Sequence, residues 1–185
     1  MAVANRIILI FLVLAGCHSP KVGFKIATAG DPQTLDPRFA REIFSVNQAH
    51  QLYQGLFRKN LAGETIPGLA ESYEVWNDGR SYRFHLRQCF WSDGTALTAY
   101  DVVRSWQEVL DNPLAPFGYQ LEVMERFSAE SERVVAVELK FPDRNFIELL
   151  TTNSFFPVHG SLYSGPFALE EGIPHRHLIL KKNYN

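Results

Sequence analysis

Residues 78–103, DGRSYRFHLRQCFWSDGTALTAYDVV, combine the signals of a strand, a turn and the start of a helix. Between residues 82 and 86 apolar side chains alternate with polar ones, which predicts a strand with one buried and one solvent-facing side. Residues 92–95 (SDGT) predict a turn, because Gly adopts positive φ at little cost. Thr98 begins a Thr-x-x-Asp pattern that resembles a capping box, and the amphipathic helix after it should end before Asp111.

The overlapping stretch of residues 90–107, FWSDGTALTAYDVVRSWQ, places acidic, hydroxyl, aromatic and basic side chains close together, as an active site would. Each polar residue nevertheless has a local structural role. Asp101, for example, falls in the first turn of the predicted helix, near the positive end of its dipole. We therefore interpret the stretch as scaffold. The sequence contains no His-Glu-x-x-His, P-loop or Gly-x-Ser-x-Gly motif, and we expect the protein not to be an enzyme.

The composition is that of an ordinary globular protein. The 185 residues are 46% hydrophobic and 21% charged, which is too apolar for a disordered chain. A formal net charge of −2 gives no general attraction to nucleic acid, so we expect no nucleic-acid partner. Short helical and short strand-like patterns follow one another along the chain, which predicts an α+β fold with antiparallel strands.

The first residues, MAVANRIILIFLVLAGC, are interpreted as an export signal. Arg6 precedes an apolar run at residues 7–14, which as a helix would be about 12 Å long, too short for a hydrocarbon core of about 30 Å. Residues 14–17 (LAGC) resemble the lipobox of bacterial lipoproteins, in which the Cys thiol takes a diacylglyceryl group. We expect a signal peptide at residues 1–16, lipidation of Cys17 and a lipidated tether at residues 17–23.

The alternative is an ordinary secretory signal in which Cys17 is incidental. If Cys17 carries lipid, Cys89 has no disulfide partner, because the sequence contains two Cys in all. We expect Cys89 to be a buried small hydrophobe rather than a reactive thiol.

Five short motifs then occur in one order along the chain. They lie at residues 53–56 (YQGL), 66–73 (IPGLAESY), 78–103, 164–167 (SGPF) and 182–184 (KNY). Together they resemble solute-binding protein family 5, the extracytoplasmic peptide- and nickel-binding components of ABC importers. Residues 104–107 (RSWQ) most resemble its oligopeptide-binding branch.

The resemblance implies a two-lobed periplasmic-binding-protein fold of type II, in which ligand binds between the lobes. It implies a mixed sheet and a small inserted α+β subdomain in the first lobe. Residues 24–53 and 159–185 would belong to that lobe and residues 54–158 to the insert, all within a partial family 5 domain at residues 24–185. The motifs cover only an N-terminal portion of a family member, so we expect the second lobe to be absent from this chain.

The resemblance also implies a function. We expect a truncated substrate-binding lipoprotein of an ABC transporter for oligopeptide uptake, a monomer in the periplasm that is anchored to the cell membrane. Its partners would be short peptides and the transporter permease, and it would need no cofactor. Alternatives are a nickel- or haem-binding member of the same family, a lipoprotein remnant that binds nothing, or a small binder that pairs with a separate second-lobe chain.

A main-chain contact with the peptide is implied next to the Asp-Pro pair at residues 36–37. In oligopeptide-binding relatives the extended segment after this pair runs beside the bound peptide and hydrogen-bonds to its backbone. The corresponding residues here are Arg41, Glu42 and Ile43. Strand-like pairing uses main-chain groups, so it accepts many peptide sequences.

A second ligand contact is implied after the helix of residues 98–110. Relatives place a Tyr after a Ser-Pro pair, close to the ligand. The corresponding stretch here is residues 115–117 (APF), so Phe117 keeps the aromatic ring but lacks the hydroxyl. The resemblance therefore implies an apolar contact from Phe117 and puts a polar one in doubt.

A metal site is the weaker hypothesis for the C-terminal region. His175 and His177 would share one face of a strand, with Glu170 and Glu171 nearby, and imidazole pairs bind nickel or zinc. An exposed hairpin explains the same pattern, and we expect no metal there.

Overall fold

The computed structural model describes residues 26–173 and 175–184. The predicted signal peptide, Cys17 and the predicted tether at residues 17–23 lie outside the described residues. The helices are α1 (Ile43–Leu52), α2 (Ala99–Leu110) and α3 (Phe146–Leu149); the strands are β1 (Phe57–Lys59), β2 (Thr65–Pro67), β3 (Ala70–Trp76), β4 (Ser81–Leu86), β5 (Cys89–Phe90), β6 (Ala96–Leu97), β7 (Met124–Ser131), β8 (Val134–Leu139), β9 (Phe167–Ile173) and β10 (His177–Lys182). The α+β class is confirmed.

Strand β4, which the alternation at residues 82–86 predicts, lies inside a four-stranded antiparallel sheet of order β3-β4-β8-β7. Tyr82 and Phe84 are buried and pair with Val137 and Val135 of β8. The intervening Arg83 faces outward, where its guanidinium bonds Glu130 of β7 and Glu74 of β3. These exposed ion pairs contribute little stability each, so the buried face holds the sheet together.

Helix α2 begins where the capping pattern predicts. Thr98 is the N-cap, and its main-chain N–H and hydroxyl both donate to Asp101 Oδ2, at 2.9 and 3.0 Å. The helix ends at Leu110, before Asp111, and buries Val102, Trp106 and Val109. The sequence interpretation of this stretch as scaffold therefore agrees with its packing.

Strand β7 continues through a polar stretch of the sequence. Residues 128–131 are SAES, a composition that favours a turn, but β7 extends through Ser131 and pairs it with Val134 of β8. A ladder of main-chain hydrogen bonds does not require apolar side chains on the solvent face, so a polar stretch by itself does not mark a turn. The strand pairs within residues 26–173 and 175–184 are all antiparallel.

The buried side chains form two separate clusters. The main core lies between α2 and the four-stranded sheet and contains Phe84, Trp106 and Phe146. The second core contains Leu52, Tyr53, Phe156 and Val158, with β9 and β10 against it. The chain crosses from the main core to the second core at residues 155–159, which we call the crossing segment.

Helix α2 binds the crossing segment through side-chain hydrogen bonds to its main chain. Trp106 Nε1 donates to the carbonyl of Phe155 at 2.9 Å. The Ser105 hydroxyl accepts from the N–H of Val158 at 2.8 Å, and lies 3.1 Å from the carbonyl of the same residue. Ser105, Trp106, Phe155 and Val158 are all buried. The two side chains on α2 therefore provide hydrogen-bond partners for main-chain atoms that water does not reach.

Asp101 extends this contact to the end of the crossing segment. Its Oδ1 lies 2.8 Å from Arg104 Nη2 and 3.2 Å from His159 Nδ1. Burial by itself raises the pKa of the Asp101 carboxyl. The hydrogen bonds from Thr98 and His159 and the charge of Arg104 outweigh that effect and hold this pKa below its usual value.

No helix in the described part of the chain has the length and apolar character needed to cross a membrane.

Ser105→Ala should lower the free energy of unfolding by about 1–3 kcal/mol, because it leaves the buried N–H of Val158 without its acceptor. Urea denaturation followed by tryptophan fluorescence measures this change. Ser161→Ala, in an exposed loop, is the matched control and should change stability little. Equal stability of the two variants would contradict the role assigned to Ser105.

Asp101→Asn should destabilise the protein in a pH-dependent way. A carboxyl whose folded pKa is lowered stabilises the fold above its unfolded pKa of about 3.9, and this contribution is lost as the pH falls through the folded value. The difference in unfolding free energy between wild type and variant should be largest above about pH 5 and shrink below about pH 4. Asp111→Asn, exposed at the other end of α2, is the control. A pH-independent difference for Asp101→Asn would contradict this account.

Candidate functional site

An open cleft of about 270 Å³ lies where the N-terminal segment meets the loop after α2. One wall comes from residues 33–45 and the other from Leu114 and Pro116. The lining side chains combine one cation, one carboxylate, three uncharged polar groups and apolar surface: Gln33, Thr34, Phe39, Arg41, Glu42, Ser45, Leu114 and Pro116. This mixture suits a ligand that has both polar and apolar parts.

The wall at residues 33–45 is a loop that leads into the first turn of α1, and hydrogen bonds within the wall close it. The N–H of Thr34 donates to the buried Ser45 hydroxyl at 3.0 Å, and the N–H of Asp36 donates to the Thr34 hydroxyl at 3.1 Å. The Asp36 carboxylate in turn accepts from the N–H of Arg38 at 2.9 Å. Asp-Pro pairs occur at residues 31–32 and 36–37, and Pro disfavours the helical conformation in the residue before it. The local hydrogen bonds therefore decide the path of the loop.

Two contacts join this loop to the rest of the molecule. Arg38 bridges Asp36 and Glu108 of α2, with N–O distances of 2.6 Å to both. The buried Asn153 donates its amide to the carbonyls of Pro37 at 2.6 Å and Ala40 at 3.0 Å. The loop is therefore held immediately before the residues that the sequence predicted to contact the ligand.

Glu42 has a structural role in this wall, which sequence reasoning missed. It is the N-cap of α1, and its carboxylate accepts from the N–H groups of Phe44 at 2.6 Å, Ser45 at 2.8 Å and Gln33 at 3.2 Å. The Ser45 side chain and these N–H groups lower the pKa of Glu42 against the opposing effect of desolvation. Its side chain is thus occupied by the cap.

The main chain at the predicted contact is available. Within the described ranges, the N–H groups of Arg41, Glu42 and Ile43 and the carbonyl of Arg41 make no hydrogen bond to the protein. Glu42 has extended backbone angles, with φ −105° and ψ 159°, and the Ile43 side chain is 62% exposed. The unpaired groups around the extended Glu42 can therefore form hydrogen bonds with a second extended chain.

The structure brings Arg41 and Glu42 into the cleft but does not place Phe117 among its lining residues. Phe117 is half-buried, and its ring packs against Tyr119 at 6.4 Å between centroids. Its neighbours Leu114 and Pro116 face the cleft instead. The loop after α2 thus lines the cleft through residues that precede Phe117, and a ligand contact from Phe117 stays a prediction.

The two His of the metal hypothesis do not share a strand. His175 lies in the turn between β9 and β10 with φ 59°, and its Nδ1 lies 2.7 Å from Asp31 Oδ2. His177 begins β10 and its Nε2 lies 3.3 Å from Glu171 Oε1. The described residues contain no group of three or more His, Cys, Asp or Glu placed to hold a metal ion.

Cys89 is half-buried and packs against the main core. Desolvation raises the pKa of its thiol, despite the nearby charges of Arg87 and Arg133. A thiol of raised pKa is a poor nucleophile, so Cys89 has the environment of a packing residue.

Comparison with known proteins gives a consistent result. A family model for bacterial extracellular solute-binding proteins, family 5 Middle, matches residues 64–185. The chain is 28% identical to the probable deoxycholate-binding periplasmic protein YgiS of Escherichia coli, over 89% of this chain and 37% of that protein. It is 29% identical to the periplasmic murein peptide-binding protein MppA of Escherichia coli, over 83% of this chain and 34% of that protein.

Solved structures agree in fold. The unliganded open form of MppA superimposes with a TM-score of 0.79 and 27% identity, over 83% of this chain and 36% of that one. Haemophilus influenzae OppA in complex with the peptide RPPGFSPFR gives a TM-score of 0.80 and 25% identity, over 84% and 37%. The chain thus spans about a third of the length of these relatives.

These matches confirm the fold class that the motifs implied, since the superimposed proteins are two-lobed periplasmic binding proteins. They also agree with the oligopeptide-binding resemblance. The chain belongs to the bacterial extracellular solute-binding proteins, family 5.

Proposed function

We propose that the protein is the substrate-binding component of an ABC importer for short peptides and that it binds its substrate without chemical change. Membership of family 5 and relatives named for binding oligopeptides and murein peptides support this proposal. The observation that carries it is the set of unpaired main-chain groups beside the cleft, namely the N–H groups of Arg41, Glu42 and Ile43 and the carbonyl of Arg41.

In this proposal the peptide lies along residues 41–43 in an extended conformation and exchanges main-chain hydrogen bonds with them. Such pairing reads the backbone of the peptide, which is common to all sequences, and leaves selectivity to the lining side chains. Asn153 and the Arg38 bridge hold the segment in place before the peptide arrives, which reduces the entropic cost of binding.

The cleft is open on one side, so a peptide bound here keeps much of its surface in water. Affinity depends on how completely the ligand is desolvated and held, and we expect this wall alone to bind weakly. We propose that the chain corresponds to an N-terminal portion of a family 5 protein. We propose residues 54–158 as the insert and residues 24–53 and 159–185 in the first lobe. The two cores support a division of this kind, although Phe156 and Val158, just before the boundary, pack in the second core.

We further propose that the protein acts as a monomer in the periplasm, anchored to the cell membrane through lipid on Cys17, and delivers peptide to the importer permease. The lipobox-like residues 14–17 and the short apolar run before them support the anchor. Several acyl chains on one Cys hold a protein firmly at a bilayer, since each buried CH₂ contributes about 0.8 kcal/mol.

Ile43→Pro tests the main-chain contact. Pro fits the first position of a helix, and the extended Glu42 before it has the conformation that Pro favours, so the variant removes the N–H and leaves α1 intact. Binding of Ala-Gln-Ala to the isotopically labelled full chain, measured by NMR titration, should weaken roughly threefold to tenfold.

Ile43→Ala is the comparison variant, because it removes the same side chain but retains the N–H. It should therefore bind the peptide more tightly than Ile43→Pro does. Equal affinities for the two variants would show that the Ile43 N–H is not used. Absence of any binding to the wild-type chain would overturn the proposed function.

Cys17→Ser tests the lipid anchor. Cells that express the wild-type chain should incorporate labelled palmitate into it and retain it in the membrane fraction, whereas the variant should lose the label and the membrane association. Cys89→Ser is the matched control and should keep both. Membrane retention of Cys17→Ser without label would contradict the proposed anchor.

A further inference from the structure

The cleft is lined by Arg41, a cation that no carboxylate of the described residues pairs with. Arg38 and Arg104, the nearest arginines on the loop and on α2, are paired with Asp36, Glu108 and Asp101. Arg41 makes no ion pair or side-chain hydrogen bond within residues 26–173 and 175–184, and it is exposed at the cleft surface. A guanidinium offers five N–H donors arranged to match a carboxylate.

The carboxylate closest in sequence does not neutralise this cation. Glu42 lines the same cleft, but its oxygens accept the N–H groups of Gln33, Phe44 and Ser45 at the start of α1. These donors and the positive end of the helix compensate the charge of Glu42. The acids on α2 are likewise engaged by Arg38 and Arg104. Among the described residues that line this cleft, Arg41 therefore supplies the cationic donors that no carboxylate of the protein engages.

Arg41 lies next to the path that we propose for the bound peptide. Its main-chain groups belong to the segment that would pair with the peptide, and its side chain lines the cleft beside that segment. A group attached to the peptide within a residue or two of that pairing is thus within reach of the long Arg side chain. The uncharged polar residues Thr34 and Gln33 line the same space and repel no anion.

We infer that Arg41 is a specificity-determining residue that binds a carboxylate of the bound peptide, so that the protein prefers peptides that carry an anionic group at this position. The inference rests on the proposed peptide-binding function. The carboxylate has two possible sources, an acidic side chain or the C-terminus of the peptide, and the same chemistry recognises both.

Affinity for matched peptides separates these sources. NMR titration of the full chain compares Ala-Glu-Ala with Ala-Gln-Ala, which differ in a side-chain carboxylate, and Ala-Gln-Ala with its C-terminal amide, which differ in the terminal one. We expect one of these pairs to show a preference of about fivefold for the carboxylate form, as an exposed guanidinium pair supplies. Salt of about 1 M, where the screening length is about 3 Å, should reduce the preference.

Arg41→Gln should bring the preference to about one, since it keeps a polar side chain of similar reach but removes the charge. Arg144→Gln, an exposed arginine outside the cleft, is the matched control and should keep the preference. The pair of peptides that loses its preference in Arg41→Gln identifies the source of the carboxylate.

If peptides bind but neither pair shows a preference, or if Arg41→Gln retains it, the inference is overturned and the proposed function stands. If no peptide binds the wild-type chain, the proposed function fails and the inference fails with it. The amide spectrum of Arg41→Gln, compared with that of wild type, confirms that the variant is folded.

Discussion

The rest of the structure depends on the hydrogen bonds that α2 makes to the main chain of the crossing segment, residues 155–159. The chain must leave the main core and enter the second core here, and it brings buried polar main-chain groups with it. Ser105 and Trp106 satisfy those groups from one face of the helix. An unpaired buried N–H costs about 1–3 kcal/mol, so this face of α2 fixes how the two cores are joined.

The junction between α2 and the crossing segment also fixes the position of the cleft wall. Asn153 lies just before the crossing segment and holds the carbonyls of Pro37 and Ala40. Arg38 ties the same loop to Glu108 of α2. One helix therefore positions both the crossing segment and the loop that forms a cleft wall, and the exposed groups of Arg41 to Ile43 project from a fixed base.

Close approach of main chain explains two of the motifs that carry the family resemblance. A Cβ on Gly165 would lie 2.6 Å from the carbonyl carbon of Leu52, and one on Gly68 would lie 2.4 Å from the carbonyl oxygen of Gly55. Both glycines also donate main-chain hydrogen bonds there, to Leu52 and Leu56. Any larger residue would push these segments apart, so the SGPF and IPGLA motifs mark packing sites rather than ligand contacts.

The sequence by itself determined the local elements and the family. The alternation at residues 82–86, the cap at Thr98 and the turn at residues 92–95 are short-range signals, and the structure confirms each of them. Only the tertiary structure decided which distant groups meet. No local pattern shows that the Asn153 amide would donate to the carbonyl of Pro37, or that the Glu42 carboxylate would cap α1. Nor does any local pattern show that Leu114 and Pro116 would line one cleft with Arg41. Such contacts depend on long-range packing, which sequence periodicity does not encode.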